Sequence, residues 1–288
     1  MAPPKKKDGA AAKPGPRNLN AEAAVAAANI IKRLKKLGKL SGDALSEQAP
    51  VIVDILASSG WAQLYQHGIA VRKLAVATLG KVPPEALVAG GHVETLVTTL
   101  EDSDEGVRQA AIVALTTRLD ALQLSMSCGH LLTNSLAHPL ATTREAAVRV
   151  LTTLPPRELR DAAADAAAKL LTHPSDGVRV SALHVLGRLD ARDLAGHVEA
   201  LLQCLSDDFA DVRHAAKRAL GRVVEHDPQQ LAPRAEALLR RLSAAPEGAS
   251  EERAEAERAL LANKTLLALL ATTPPKNAYT TPPPSTES

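Results

Sequence analysis

The chain has 288 residues, 45% of them apolar, with 34 basic and 32 acidic side chains and a formal net charge of +2. Two cysteines, Cys128 and Cys204, have no metal or disulfide spacing and point to a reduced, intracellular setting. No apolar run reaches the roughly 18 residues of a membrane-spanning helix, and no apolar leader core follows Met1.

The charge is unevenly spread. Residues 1–40 carry ten Lys and Arg against Asp8 and Glu22, a net +8, which leaves −6 for the rest. Residues 1–18, rich in Ala, Pro, Gly and Lys, have almost nothing to bury and are expected to be a disordered basic tail. Their Lys5-Lys6-Lys7 run reads as solubilising before it reads as a nuclear-import or phosphate-contact element. Residues 19–40 turn helical, with Val25, Ile30, Ile31, Leu34 and Leu37 as the apolar face and Lys32, Arg33, Lys35 and Lys36 opposite. This basic amphipathic stretch is expected to cap whatever follows, a membrane-surface or targeting helix being the competing reading.

From residue 41 to 271 one skeleton recurs: Leu, seven residues, Arg, two residues, Ala, three residues, Leu. It occurs at Leu64/Arg72/Ala75/Leu79, Leu100/Arg108/Ala111/Leu115, Leu136/Arg144/Ala147/Leu151, Leu171/Arg179/Ala182/Leu186 and Leu205/Arg213/Ala216/Leu220. Its arginines are 36, 36, 35 and 34 residues apart, and a looser sixth copy runs through Leu242, Arg253, Ala256 and Leu260. A fixed period of this length is the signature of a solenoid, in which each unit packs on its neighbours. Each unit reads as helix, short turn, helix. First helices are predicted near 85–100, 121–136, 157–171, 192–205 and 229–242. Second helices are predicted near 70–82, 106–119, 143–154, 178–189, 212–225 and 251–270. Pro83-Pro84, Pro155-Pro156 and Pro228 fall between units. Along the second helices Val107/Ala111/Leu115 and their equivalents recur four apart as one buried stripe, broken only by Thr143 in the third copy. The block Gly91-His92-Val93-Glu94 returns as Gly196-His197-Val198-Glu199, a mark of internal duplication. Residues 272–288 form a Pro/Thr-rich tail expected to be disordered or extended, with Thr273 and Thr281 each preceding a proline.

A unit of about 35 residues with a turn such as Leu100-Glu101-Asp102-Ser103-Asp104-Glu105-Gly106-Val107-Arg108, followed by Ala111 and Leu115, resembles a HEAT repeat. The resemblance spans roughly residues 50–265 and implies an all-α fold, a right-handed α-solenoid of about six HEAT-like helix pairs with an N-terminal capping helix. It also implies that the second helices line a concave surface.

The repeat arginines Arg72, Arg108, Arg144, Arg179 and Arg213 could form a ligand-binding stripe, but a structural role is the first expectation. Asp104, Asp176 and Asp211 lie just ahead of Arg108, Arg179 and Arg213, and in HEAT-like proteins equivalent pairs knit neighbouring turns. Positions that vary between copies are better suited to recognition. Five residues after each arginine stand Ala77, Val113, Arg149, His184 and Arg218, and nine after stand Lys81, Thr117, Thr153, Arg188 and Arg222. Arg149, His184, Arg188, Arg218 and Arg222 would therefore make a basic patch toward the C-terminal half, suited to an acidic peptide or helix, or else an ordinary solvated face.

No Gly-rich phosphate loop, nucleophile elbow, His-Glu-x-x-His or Cys-x-x-Cys motif is present, and repetition places the histidine pairs His92/His197 and His138/His173 in different units. The expectation is a non-enzymatic scaffold or adaptor without catalytic residues, metal or cofactor. It would bind a protein rather than a small molecule, nucleic acid or membrane, in the cytoplasm or alternatively the nucleus. Two other readings come with the resemblance: a TOG-like tubulin-binding array, for which Trp61 near the first turn speaks and Gln66-His67-Gly68 does not, and a phycobilin lyase of the HEAT type, for which no residue marks a pigment site.

Overall fold

The computed structural model describes residues 19–58 and 65–226, and all regular structure among them is helical. The two tails, Trp61 and the sixth repeat copy lie outside the described residues.

Helix α1 (Leu19–Leu37) opens the described chain, followed by the short α2 (Asp43–Ser46). The first unit pairs α3 (Ala49–Ala57) with α4 (Tyr65–Leu79). The second has α5 (Pro84–Ala89) and α6 (His92–Thr98) against α7 (Glu105–Arg118). In the third, α8 (Ala121–Ser135) faces α9 (Ala141–Leu151). The fourth sets α10 (Pro156–Leu159), a π turn (Arg160–Ala164) and α11 (Asp165–Lys169) against α12 (Asp176–Leu186). The fifth sets α13 (Ala191–Leu194) and α14 (Val198–Gln203) against α15 (Ala210–His226).

The chain punctuates these units with local chemistry. Pro84 and Pro156 start α5 and α10, where the missing N–H of proline is not needed. The Asp104 carboxylate caps α7 by accepting from the Val107 N–H at 3.0 Å, and Asp120 and Gln123 form a reciprocal capping box at the start of α8. The sequence predicts one first helix over 85–100, yet the structure breaks it at Gly91, whose φ of 68° a side-chain-bearing residue adopts only at a cost. The matching Gly196 block marks a break as well, in the 3-10 turn Ala195–His197 between α13 and α14. The duplicated block is thus a device for bending first helices, while Val93, Leu96, Val198 and Leu201 after it are buried.

The second helices stack in one row, α4 on α7 on α9 on α12 on α15, and α1 takes the place ahead of α4. Each contributes the predicted stripe: Val71, Ala75 and Leu79 are fully buried, as are Val107, Ala111 and Leu115, and Thr143, Ala147 and Leu151. Burying a Leu or Val side chain contributes about 1.5–3 kcal/mol, so the stripe adds substantially to the stability of each unit. On α1 the buried face is Ala27, Leu34 and Leu37, with Ile30 and Ile31 half-buried. Val25 is 62% exposed, which corrects its place on the apolar face: two residues from Ala27, it points some 200° away around the helix.

Candidate protein-binding face

The repeat arginines sit one turn inside each second helix, and their side chains reach back over the turn that precedes it. Nη1 of Arg108 donates to the carbonyls of Asp102 and Ser103 at 2.7 and 2.9 Å. Arg144 does the same to His138 and Pro139, Arg179 to His173 and Pro174, and Arg213 to Asp207 and Asp208, all between 2.6 and 3.1 Å. These are the carbonyls six and five residues upstream. A guanidinium has donors enough to close a turn and still face a neighbour.

Two arginines use the remaining donors across a unit boundary. Arg72 binds Asp102 through Nε and Nη2 at 2.6 and 2.9 Å, and Arg179 binds Asp207 at 2.7 and 2.8 Å. All four side chains are 11–14% exposed, and the forked hydrogen bonds hold both guanidinium pKa values above their ordinary level. The direct partners are therefore Asp102 and Asp207 of the following unit, not the expected Asp104, Asp176 and Asp211. Asp104 is occupied as the α7 cap, and Asp104 and Asp176 reinforce Arg72 and Arg179 only through space. The aligned column six residues before each arginine from Arg108 onward, Asp102, His138, His173 and Asp207, carries this signal in the sequence.

The two middle boundaries are built differently. Asp102 and Asp207 each use Oδ1 to accept the N–H two residues on, at Asp104 and Phe209. His138 and His173 copy that bond with Nδ1, accepting from Leu140 and Ser175 at 3.2 and 3.1 Å. A carboxylate keeps a second oxygen for the preceding arginine, whereas an imidazole accepting at Nδ1 has its proton on Nε2 and no acceptor left. Among the described residues Arg108 and Arg144 accordingly have no carboxylate partner, and the buried Nε of Arg144 has no hydrogen bond.

The predicted recognition residues lie on the row of second helices. Arg149 on α9, His184 on α12 and Arg218 and Arg222 on α15 are exposed, as is Arg188 just beyond α12. Arg218 Nη2 stands 3.3 Å from His184 Nε2; burial and this cation push the His184 pKa down, so the ring is a neutral acceptor. Arg222 donates to the carbonyl of Gly187 at the end of α12, much as Lys81 Nζ donates to Gly38 O at the end of α1 at 3.1 Å. Both cations satisfy an orphan carbonyl at the negative end of the preceding helix. Arg222 thus has a structural task that the sequence reading did not assign to it.

Both thiols are held in their protonated form. Burial pushes the Cys128 thiol up to about 12 and the Cys204 thiol up to about 11, which suppresses the nucleophilic thiolate. Among the described residues no three His, Cys, Asp or Glu side chains gather as metal ligands, and no helix is long and apolar enough to cross a membrane.

A family model for HEAT repeats matches residues 130–221 and 164–261. No curated protein matches the chain. Among solved structures, the chain is similar to one described as crescerin using a TOG domain array to regulate microtubules in the primary cilium, at 19% identity and a TM-score of 0.47, covering 74% of this chain and 92% of that one. It is also similar to a designed armadillo repeat protein in complex with the peptide (KR)4, at 20% identity and a TM-score of 0.42, covering 75% of this chain and 99% of that one. The chain thus carries HEAT repeats over residues 130–261, and the helix units described above stand in register with that match.

Proposed function

We propose that this protein is a non-enzymatic scaffold that binds an acidic peptide or helix of another protein along its row of second helices. The observation that supports this is the exposed stripe on three successive stacked elements, cationic at Arg149 on α9, Arg188 just beyond α12, and Arg218 and Arg222 on α15, with the neutral His184 among them. Stacking fixes the spacing of the helices that carry these charges before a ligand arrives, so association has to order only the side chains, and cations arrayed on one face steer an acidic partner by long-range attraction. Arg149, Arg188 and Arg218 are the recognition residues proper. Arg222 divides its role with the Gly187 carbonyl, and His184 orients Arg218.

Affinity capture from a cell extract tests this, using the full chain against a variant with Arg149, Arg188 and Arg218 changed to Glu and far-UV circular dichroism as the folding control. A partner retained by the parent and lost from the variant supports the reading and names the ligand. An unchanged set of partners refutes it. Cosedimentation with tubulin is the arm that addresses the TOG-like alternative.

A further inference from the structure

Between α4 and α7 the row of second helices opens into a trough of about 360 Å³. Its apolar lining comes from Ala77, Ala110, Val113 and Ala114, and Lys73, Lys81 and Arg118 rim it; no carboxylate is among its lining residues. Val113 is 48% exposed there. The trough owes its existence to short side chains. Ala77 and Val113 occupy the position five residues after the repeat arginine, where later units carry Arg149, His184 and Arg218, and the last two of those close over their own boundary at 3.3 Å. Gly80 seals the floor: a Cβ on it would stand 2.8 Å from that of Ala114, so only glycine lets α4 and α7 meet there.

The trough therefore continues the cationic stripe in the same helical register, apolar where the stripe is charged but still ringed by cations. We propose that it is an anchoring subsite for an aliphatic side chain flanked by carboxylates in an acidic partner segment. The apolar trough would seat the side chain, and Lys73, Lys81 and Arg118 would meet the flanking acids. This rests on the protein-binding reading above and adds polarity to it: the ligand's apolar anchor lies toward α1 and its purely acidic portion toward α15. Charge complementarity selects this occupant, since a cation-flanked or neutral anchor would leave Lys73 and Arg118 to be desolvated without an acid to meet them, and Lys81 with the Gly38 carbonyl alone.

The test uses the full chain and fluorescence anisotropy with two labelled helix-forming peptides rich in Asp and Glu, one with a central Leu and one with Ala in its place. Ala77 and Val113 are exposed, so Ala77→Glu and Val113→Glu are compatible with the fold, which circular dichroism checks. The expected result is about tenfold tighter binding of the Leu peptide, equivalent to roughly 1.4 kcal/mol. Either trough variant should reduce that preference below about twofold, whereas Arg149→Glu with Arg218→Glu should weaken both peptides equally. Equal affinity for the two peptides, still sensitive to the arginine reversals, overturns the anchoring subsite and leaves the basic face standing. Binding of neither peptide overturns both. A Leu preference that survives the arginine reversals but not Val113→Glu supports the trough alone.

Discussion

His173 stands where the fifth unit has Asp207, and exchanging the two chemistries tests the account of how units are joined. In the parent, Arg179 is satisfied by Asp207 across its boundary, while Arg144 Nε is buried without an acceptor across the preceding one. An orphaned buried donor costs about 1–3 kcal/mol, and a hydrogen bond to a charged group contributes about 1.5–3 kcal/mol. Against this stands the desolvation of a new carboxylate, at a site as buried as Asp102 and Asp207, which are 11% and 12% exposed. His173→Asp keeps the local turn, since a carboxylate serves the N–H two residues on as the imidazole does. The expected net gain is about 1 kcal/mol. Asp207→His should lose about 1–3 kcal/mol by leaving Arg179 in the situation of Arg144. Urea unfolding followed by circular dichroism reads both, and hydrogen exchange at the turn amides shows whether the change is confined to the altered boundary. Arg144→Lys should erase the gain from His173→Asp, because a lysine cannot close the turn and fork onto a carboxylate together. If His173→Asp is neutral or destabilising while Asp207→His is costly, the one-for-one equivalence of the boundaries is wrong.

Thr143 is fully buried and its hydroxyl has no hydrogen-bond partner, at a position that is Val in the other four units; Thr143→Val should stabilise the protein by about 1 kcal/mol in urea unfolding. Folded protein at pH 8 should resist iodoacetamide at Cys128 and Cys204, and denatured protein should be labelled at both, as mass spectrometry would show. The same burial predicts a pH dependence. The folded thiols titrate at about 12 and about 11 against an ordinary 9.0, so their contribution is complete below pH 9 and is lost as the pH rises above it, by up to about 1.4 kcal/mol per unit for each thiol. Unfolding midpoints measured from pH 8 to 11 check the direction; a midpoint that rises over that range is the refuting result. Lys81→Ala should loosen α1 by about 0.5–1 kcal/mol, because the Gly38 carbonyl loses its donor, seen as faster amide exchange in α1 alone.

The period of the repeat arginines by itself determined the five described units, their order and their buried stripe, though not the breaks inside the first helices. A buried stripe at Val107/Ala111/Leu115 follows from helical geometry within one unit, and each unit repeats it. The hold of each arginine on its own turn is equally local, spanning five and six residues. Contacts between units were decided only by the tertiary structure. Nothing within one turn says whether Asp102 or Asp104 faces the arginine of the unit before; helix stacking places Asp102 there and spends Asp104 on a cap. The role of Arg222 and the trough at Val113 have the same origin, since a carbonyl at one helix end and a gap beside a short side chain exist only once two helices lie side by side. Repetition fixes what a unit is made of, and packing, which acts between units some 35 residues apart in the chain, fixes which of its side chains are left to meet a partner.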